Sequence, residues 1–206
     1  MSVNIERIVA GPIDTNAWIV YNDDKKCFIV DPSSGCEEIL GFIKEKNLNP
    51  ESIIITHSHF DHILGIPEII KCYPDLKLYV HPKEALLLKR SDLNGSYMIG
   101  MDFTYDKPVI DLTEGPMTIG SFPLTVLVVP GHSPAGCAVL IDKYCICGDI
   151  LFAGSIGRSD LPGGNGELLV KGIREKMLVL PDDTVVCSGH GGRTTIGREK
   201  KENPFL

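Results

Sequence analysis

Thr56-His57-Ser58-His59-Phe60-Asp61-His62 follows directly on the apolar run Ile53-Ile54-Ile55. Four side chains of metal-ligating type, His57, His59, Asp61 and His62, fall within six residues. In an extended segment leaving a strand, side chains alternate between faces, so His57 and His59 point the same way. A turn into a helix beginning near His62 then aims Asp61 and His62 at a neighbouring point. One tetrahedral ion cannot usefully take all four once later ligands are added, so the spacing suits two adjacent ions. The plainer reading is a polar turn that happens to contain histidine. It must explain why three of the chain's six histidines sit in this one turn, and the metal reading is preferred.

Three more stretches share one local pattern. Val128-Val129-Pro130-Gly131-His132, Cys145-Ile146-Cys147-Gly148-Asp149 and Val186-Cys187-Ser188-Gly189-His190 each place a glycine between an apolar run and a good ligand. Glycine at a strand end allows a sharp turn that presents one side chain at the sheet edge. Any one of these alone reads more simply as structural. Together with the first cluster they make a set of seven. His57, His59 and His132 could hold one ion, and Asp61, His62 and His190 the other. Asp149, as a carboxylate, can bridge both. A pair of ions about 3.5–4 Å apart acidifies a shared water, polarises a carbonyl and stabilises a leaving group. The sixth histidine, His81, precedes Pro82 and reads as a turn or surface residue. Cys147 and Cys187 lie nearest the ligands, and strand alternation assigns them to core packing.

Outward from these motifs, short β-branched runs predict strands at 3–9, 17–21, 26–30, 52–55, 77–80, 117–119, 124–129, 137–141, 143–146 and 184–187. Helical spacing appears at Cys36, Ile39, Leu40 and Ile43, and again at Leu169, Val170, Ile173 and Met177. Further helices are expected over 62–73 and 82–90. The irregular stretches 91–107 and 154–166 are expected to border a substrate pocket. No linker or repeat divides the chain, so residues 1–206 are expected to form a single domain.

Hydrophobic residues make up 43% of the chain and charged ones 23%, enough apolar content for a core that needs no metal as a prop. With a net charge of −7 and no basic stripe, nucleic acid is not an expected partner. Arg198-Glu199-Lys200-Lys201 reads as a solvated helix face. Seven cysteines in apolar surroundings, odd in number and without Cys-x-x-Cys, point to buried free thiols in a reducing compartment. No secretory core opens the chain and no apolar run approaches the roughly 18 residues of a membrane span, so the expected location is the cytoplasm.

On these motifs the sequence resembles the metallo-β-lactamase superfamily, specifically its glyoxalase II-like small hydrolases. The resemblance runs from Thr15-Asn16 and Val30-Asp31-Pro32 through the histidine cluster. It continues in Pro130-Gly131-His132-Ser133 and Gly148-Asp149-Ile150-Leu151-Phe152, and closes at Ser188-Gly189-His190-Gly191 and Thr194-Thr195-Ile196-Gly197-Arg198-Glu199. It implies an α/β fold, a four-layer αββα sandwich with metals at one edge between the sheets. It carries over the same division of the seven ligands and a metal-bridging hydroxide that attacks an acyl carbonyl, with Asp61 orienting the attack. Zinc is the default for the two divalent ions, with iron or manganese as alternatives. Asp31 matches a position that supports the ligands, against a simple turn role before Pro32. Arg158 matches a basic position that meets a substrate carboxylate, against a loop salt bridge.

The substrate expected from the resemblance is a small acyl thioester. Glutathione-specific relatives place a tyrosine after the last histidine and add a C-terminal helical segment. Here Gly191-Gly192 follow His190 and sixteen residues remain, which weighs against glutathione and leaves a smaller thiol carrier open. Alternatives within the family are a mononuclear iron persulfide dioxygenase, which uses two histidines and an aspartate, and a lactone or ester hydrolase. RNA-processing members need a basic surface, and oxygen-reducing members have a carboxylate where this chain has His59. A non-catalytic metal-binding module would be expected to have lost ligands, and all seven positions are filled. Oligomeric state leaves no mark in the sequence.

Overall fold

The computed structural model describes residues 2–206. The period-two apolar runs form two six-stranded sheets. The first contains β1 (Asn4–Ala10), β2 (Thr15–Tyr21), β3 (Lys26–Val30), β4 (Asn49–Ile55), β5 (Lys77–Val80) and β6 (Ile110–Asp111), in that order. The next strands along the chain are β7 (Gly115–Ile119), β8 (Phe122–Val128), β9 (Cys137–Ile141) and β10 (Tyr144–Gly148). After a small hairpin of β11 (Leu151–Phe152) and β12 (Ser155–Ile156) come β13 (Val185–Ser188) and β14 (Thr194–Thr195). The second sheet has the order β14-β13-β10-β9-β8-β7.

All ten expected strands are present. The four additional ones, β6, β11, β12 and β14, are two residues long, too short for any periodicity to register. Strand β4 also starts earlier than expected, at Asn49, in spite of Pro50. A bulge makes room for it, since Cys27 pairs with Pro50 and Phe28 with Ser52, skipping Glu51.

Alternation along each strand explains the layering. Trp18, Val20, Phe28, Val30 and Ile54 face the second sheet and pack with Phe122, Val126, Val139 and Ile146. Their neighbours Ile19, Ile29, Ile53 and Ile55 face the opposite way. They are covered by α1 (Glu37–Glu45), α2 (Phe60–Ile63), α3 (Ile66–Cys72) and α4 (Pro82–Leu88) through Ile39, Ile43, Ile63, Ile66 and Leu88. On the far face of the second sheet, Ala138, Cys145, Cys147 and Val186 meet Leu169, Ile173, Met177 and Ile196. The short helix α5 (Ser91–Asn94) follows α4, and α6 (Gly166–Gly172) runs into a π-helical turn at Ile173–Met177. The last helix is α7 (Ile196–Glu202). The result is the four-layer αββα sandwich. Each fully buried isoleucine in it contributes roughly 1.5–3 kcal/mol.

Three expectations need correction. The helix expected over 62–73 is two helices, α2 and α3, because the Gly65 amide is taken by the Pro32 carbonyl at 2.9 Å and Pro67 restarts the chain. The Arg198–Lys201 run is not uniformly solvated. Glu199 is buried, and it accepts hydrogen bonds from Thr194 Oγ1, the Gly154 amide (2.9 Å) and Asn203 Nδ2 (2.8 Å). All seven cysteines are free, yet Cys72 is exposed at the end of α3. Among the described residues, no helix is long and apolar enough to cross a membrane.

Candidate metal centre

Five strand ends converge at one edge of the sandwich. β3 and β4 are parallel, as are β10 and β13, and β8 runs with β10 because both are antiparallel to β9. Their C-terminal ends therefore release Asp31, His57, Asp149, His190 and His132 on the same side. The Cys137 amide donates to the Thr56 carbonyl at 2.8 Å and joins the two sheets there. From the β2 side, the Asn16 amide donates to the Gly189 carbonyl (2.6 Å), and Trp18 Nε1 to the Ser188 carbonyl (3.1 Å). These bonds hold the loop that carries His190.

The extended backbone at His59 (φ −71°, ψ 148°) keeps the strand alternation until α2 begins. His57 and His59 consequently share a side and meet His132. His132 Nε2 lies 2.9 Å from His59 Nδ1 and 3.2 Å from His57 Nε2. One turn on, Asp61 Oδ2 is 3.1 Å from His62 Nε2 and 3.2 Å from His190 Nε2. Asp149 stands between the two groups. Its Oδ1 is 3.4 Å from His62 Nε2, and its Oδ2 is 3.5 Å from His190 Nε2 and 3.7 Å from His132 Nε2. All seven side chains singled out by the motifs are thus gathered in one place. His81 lies apart, capping α4 by accepting the Lys83 amide at 3.2 Å.

Hydrogen bonds on the outer side of three of the rings, His132, His57 and His62, determine which nitrogen faces inward. The Arg158 carbonyl can only accept, so His132 donates to it from Nδ1 (2.7 Å), leaving the Nε2 lone pair for the cluster. The Thr56 hydroxyl gives its single proton to Asp31 Oδ2 and can only accept from His57 Nδ1, 3.2 Å away. That again frees Nε2. Asp31 also accepts the Thr56 amide at 2.7 Å and faces His62 Nδ1 at 2.9 Å. The buried Asp31 thus contacts His62 directly and His57 through Thr56, and its own oxygens are already engaged.

Close packing at the glycines has distinct causes. Gly148 has φ +50°, and a Cβ there would meet Thr56 Oγ1 at 2.2 Å. Gly189 needs no unusual backbone angle. A Cβ on it would lie 2.1 Å from Asp149 Oδ1 and 2.6 Å from His62 Cε1, so the side chain is excluded by the donors themselves.

Burial and neighbouring imidazoles push His57 and His59 down, His59 to about 3, and burial also lowers His132. Burial opposes charge on His62 and His190 as well, but Asp61 and Asp149 outweigh it and hold both above the ordinary histidine range. Asp61 and Asp149 are lowered in turn, because the imidazoles outweigh the effect of burial. Without metal, a neutral histidine trio sits beside a charge-compensated acid–imidazole group. His62 Nε2 and Asp149 Oδ1 are buried and have no hydrogen-bond partner among the described residues. Three sets of ligand atoms lie within 4.8 Å of one another, His57 with His59 and His132, Asp31 with His57 and His62, and Asp61 with His62 and His190, and such nitrogen and carboxylate donors beside orphaned buried atoms fit divalent metal ions.

The family model described as "Metallo-beta-lactamase superfamily" matches residues 10–190. The chain belongs to the metallo-β-lactamase superfamily. It is 43% identical over 205 residues to a probable metallo-hydrolase, YqgX, of Bacillus subtilis, covering 97% of this chain and 96% of the relative. It is 33% identical over 215 residues to the hydroxyacylglutathione hydrolase GloC of Haemophilus influenzae, covering 99% and 98%. Among solved structures, the B3 metallo-beta-lactamase BLEG-1 matches with a TM-score of 0.94 at 42% identity, covering 98% of this chain and 99% of that one.

As in other metal-dependent hydrolases, the centre must open to a substrate. In this superfamily member a cavity of about 360 Å³ reaches His59, Asp61, His132, Asp149 and His190. Both irregular stretches of the sequence border it, one through Leu93, Met98 and Ile99, the other through Arg158 and Leu161. The Arg158 guanidinium is paired with Asp160 through Nε (2.8 Å) and Nη2 (2.7 Å).

Two supporting side chains were not anticipated. Thr15 Oγ1 donates to Asp61 Oδ2 at 2.9 Å. Glu84, in α4, is fully buried and accepts the Ser58 amide at 2.9 Å and the Ala135 amide at 2.8 Å. Burial raises its carboxyl pKa against these hydrogen bonds. It joins the segment between His57 and His59 to the loop just after His132. A lone glutamate in the first turn of a helix gives no such signal in sequence.

Proposed function

We propose that this chain is a dinuclear metal-dependent hydrolase of small acyl thioesters, of the glyoxalase II-like kind, formed from residues 1–206 as one domain. The observation that carries the reading is the position of Asp149 Oδ2, 3.5 Å from His190 Nε2 and 3.7 Å from His132 Nε2. A carboxylate so placed belongs to both donor groups. His57, His59 and His132 would hold one ion, and Asp61, His62 and His190 the other, with Asp149 common to both. Zinc suits these donors, and iron and manganese suit them also. What bound divalent ions supply at such a site is Lewis acidity, which acidifies water and polarises an acyl carbonyl.

The chain's own residues account for the rest. Asp61, held by Thr15 and open to the cavity, orients the attacking water as well as serving as a ligand. The reaction joins water to the acyl carbon, breaks the carbon–sulfur bond, and yields a carboxylate, a thiol and a proton. A thiolate leaves without help from a general acid, because thiols have pKa values of about 8.5. An amide nitrogen would need protonation, and the histidines bordering the cavity are committed to the donor groups. The resemblance to GloC supports a thioester substrate. The resemblance to BLEG-1 makes a β-lactam the natural competitor.

The partner is accordingly a small acyl compound and not nucleic acid, and seven free cysteines suit a reducing cytoplasm. The test is metal analysis of the purified protein together with turnover of a panel of acyl thioesters, lactones and a chromogenic β-lactam. Two equivalents of metal and fastest turnover of a thioester are expected. One equivalent of iron with oxygen uptake on a persulfide, and no hydrolysis, would overturn the reading.

A further inference from the structure

The walls of the cavity differ from its floor. Beyond the donors, its apolar lining comes from three loops: Leu93, Met98 and Ile99 from one irregular stretch, Leu161 and Pro162 from the other, and Ile13 from the turn between β1 and β2. Several of these are unusually open to solvent for apolar side chains: Met98 is 74% exposed, Ile13 50% and Ile99 45%. Tyr97 and Met101, beside Met98 and Ile99 in the same stretch of chain, are also exposed. Exposed apolar side chains grouped around the mouth of a cavity mark a surface that is covered in use. Methionine suits such a surface because its flexible, polarisable side chain moulds to varied shapes.

The charges nearby are already satisfied. Apart from the donor groups, the charged side chains bordering the cavity are Asp92 and Arg158. Arg90 grips Asp92 through Nε (2.8 Å) and Nη2 (2.6 Å), and Asp160 grips Arg158 in the same two-point manner. A substrate bearing carboxylates would have to displace Asp160 to gain a cation, giving up one bidentate pair to form another. An uncharged apolar chain displaces only water.

We infer that the acyl group hydrolysed here is an uncharged alkyl chain, seated against Met98, Ile99, Leu93 and Ile13. The inference rests on the thioester hydrolase reading and names its substrate class. Each methylene moved from water onto this lining should raise kcat/KM about fourfold until the lining is spanned, since burying one is worth about 0.8 kcal/mol.

The experiment uses the metal-loaded protein and a series of N-acetylcysteamine thioesters, acetyl, butanoyl, hexanoyl and octanoyl, with the succinyl thioester and an acyl glutathione for comparison. The expected result is a steep rise from acetyl to hexanoyl, with the succinyl and glutathione compounds well below hexanoyl. The Met98→Ser/Ile99→Ser and Ile13→Ser variants should each flatten the hexanoyl-to-acetyl ratio at unchanged metal content. A flat or inverted series, or a rise that survives both variants, would overturn the inference. A second arm does not depend on turnover: with methionine methyl groups labelled by ¹³C, the Met98 resonance should move on adding the unreactive S-hexyl thioether and not the S-ethyl one. An unmoved resonance would overturn the seat. Failure to hydrolyse any thioester would instead overturn the hydrolase reading, and the labelled methyl would still decide the apolar seat.

Discussion

Asp31 Oδ2 faces His62 Nδ1 at 2.9 Å while the same carboxylate holds Thr56, whose hydroxyl oxygen faces His57 Nδ1. One buried acid thus sets the inward nitrogen of a histidine in each donor group. Replacing it with asparagine keeps the size but presents one oxygen and an unwanted N–H. Asp31→Asn is expected to lower affinity for both ions by about 10- to 100-fold, as loss of an outer partner of a ligand commonly does. Chelator competition with stepwise metal addition measures this, and unchanged affinity at both positions would refute the role.

Removing a ligand should be more drastic. His59→Ala and Asp149→Ala are each expected to abolish metal retention and thioester turnover together. Asp149→Ala should empty both positions, because Asp149 lies within reach of His132 and His190 alike. Elemental analysis after purification, paired with a turnover assay, decides the matter. Hydrolysis retained in either variant would remove that residue from the centre.

Glu84 should matter to folding before chemistry. Glu84→Ala leaves the Ser58 and Ala135 amides without partners, and each hydrogen bond to a charged group is worth about 1.5–3 kcal/mol. The metal-free variant is expected to lose about 3 kcal/mol or more in urea unfolding. Glu84→Gln retains one acceptor and should fall between the variant and the parent.

Acid should destabilise the metal-free protein in a defined window. His57, His59 and His132 are lowered in the folded state, whereas in the unfolded chain they titrate near 6.5. Above that pH all three are neutral in both states and add no slope. As pH falls below it, the unfolded chain binds protons that the buried rings refuse, so stability declines, for His59 down to about 3. His62 and His190, held above 6.5, are protonated in both states there and do not offset the loss. Each refusing histidine shifts the unfolding equilibrium roughly tenfold per pH unit. Urea midpoints taken from about pH 6 to about pH 5 should fall, and His59→Gln should make the fall shallower.

Much of this architecture was readable because it is written in local spacing. Ile53-Ile54-Ile55 followed by His57 and His59 states both a strand and its exit, and the same two-residue period sends Cys145 and Cys147 outward and Ile146 inward. The glycine before each late ligand was likewise visible, although Gly189 serves space and not backbone conformation. What escaped depends on contacts between distant parts of the chain. Glu84 acts on Ser58 and Ala135, 26 and 51 residues away, and nothing near it in sequence announces them. Arg158 was singled out for its guanidinium, whereas its backbone carbonyl is the group that orients His132. Glu199 lay in a charged run and is nonetheless buried among neutral donors, a distinction that charge spacing cannot make.

The division of ligands along the chain also sets an order of events during synthesis. The first donor group cannot close before residue 132 has been made, nor the second before residue 190. A ribosome-bound chain of intermediate length displays His57, His59, Asp61 and His62 without the late residues that complete either set. Such a fragment can catch a metal only in an open, exchangeable way.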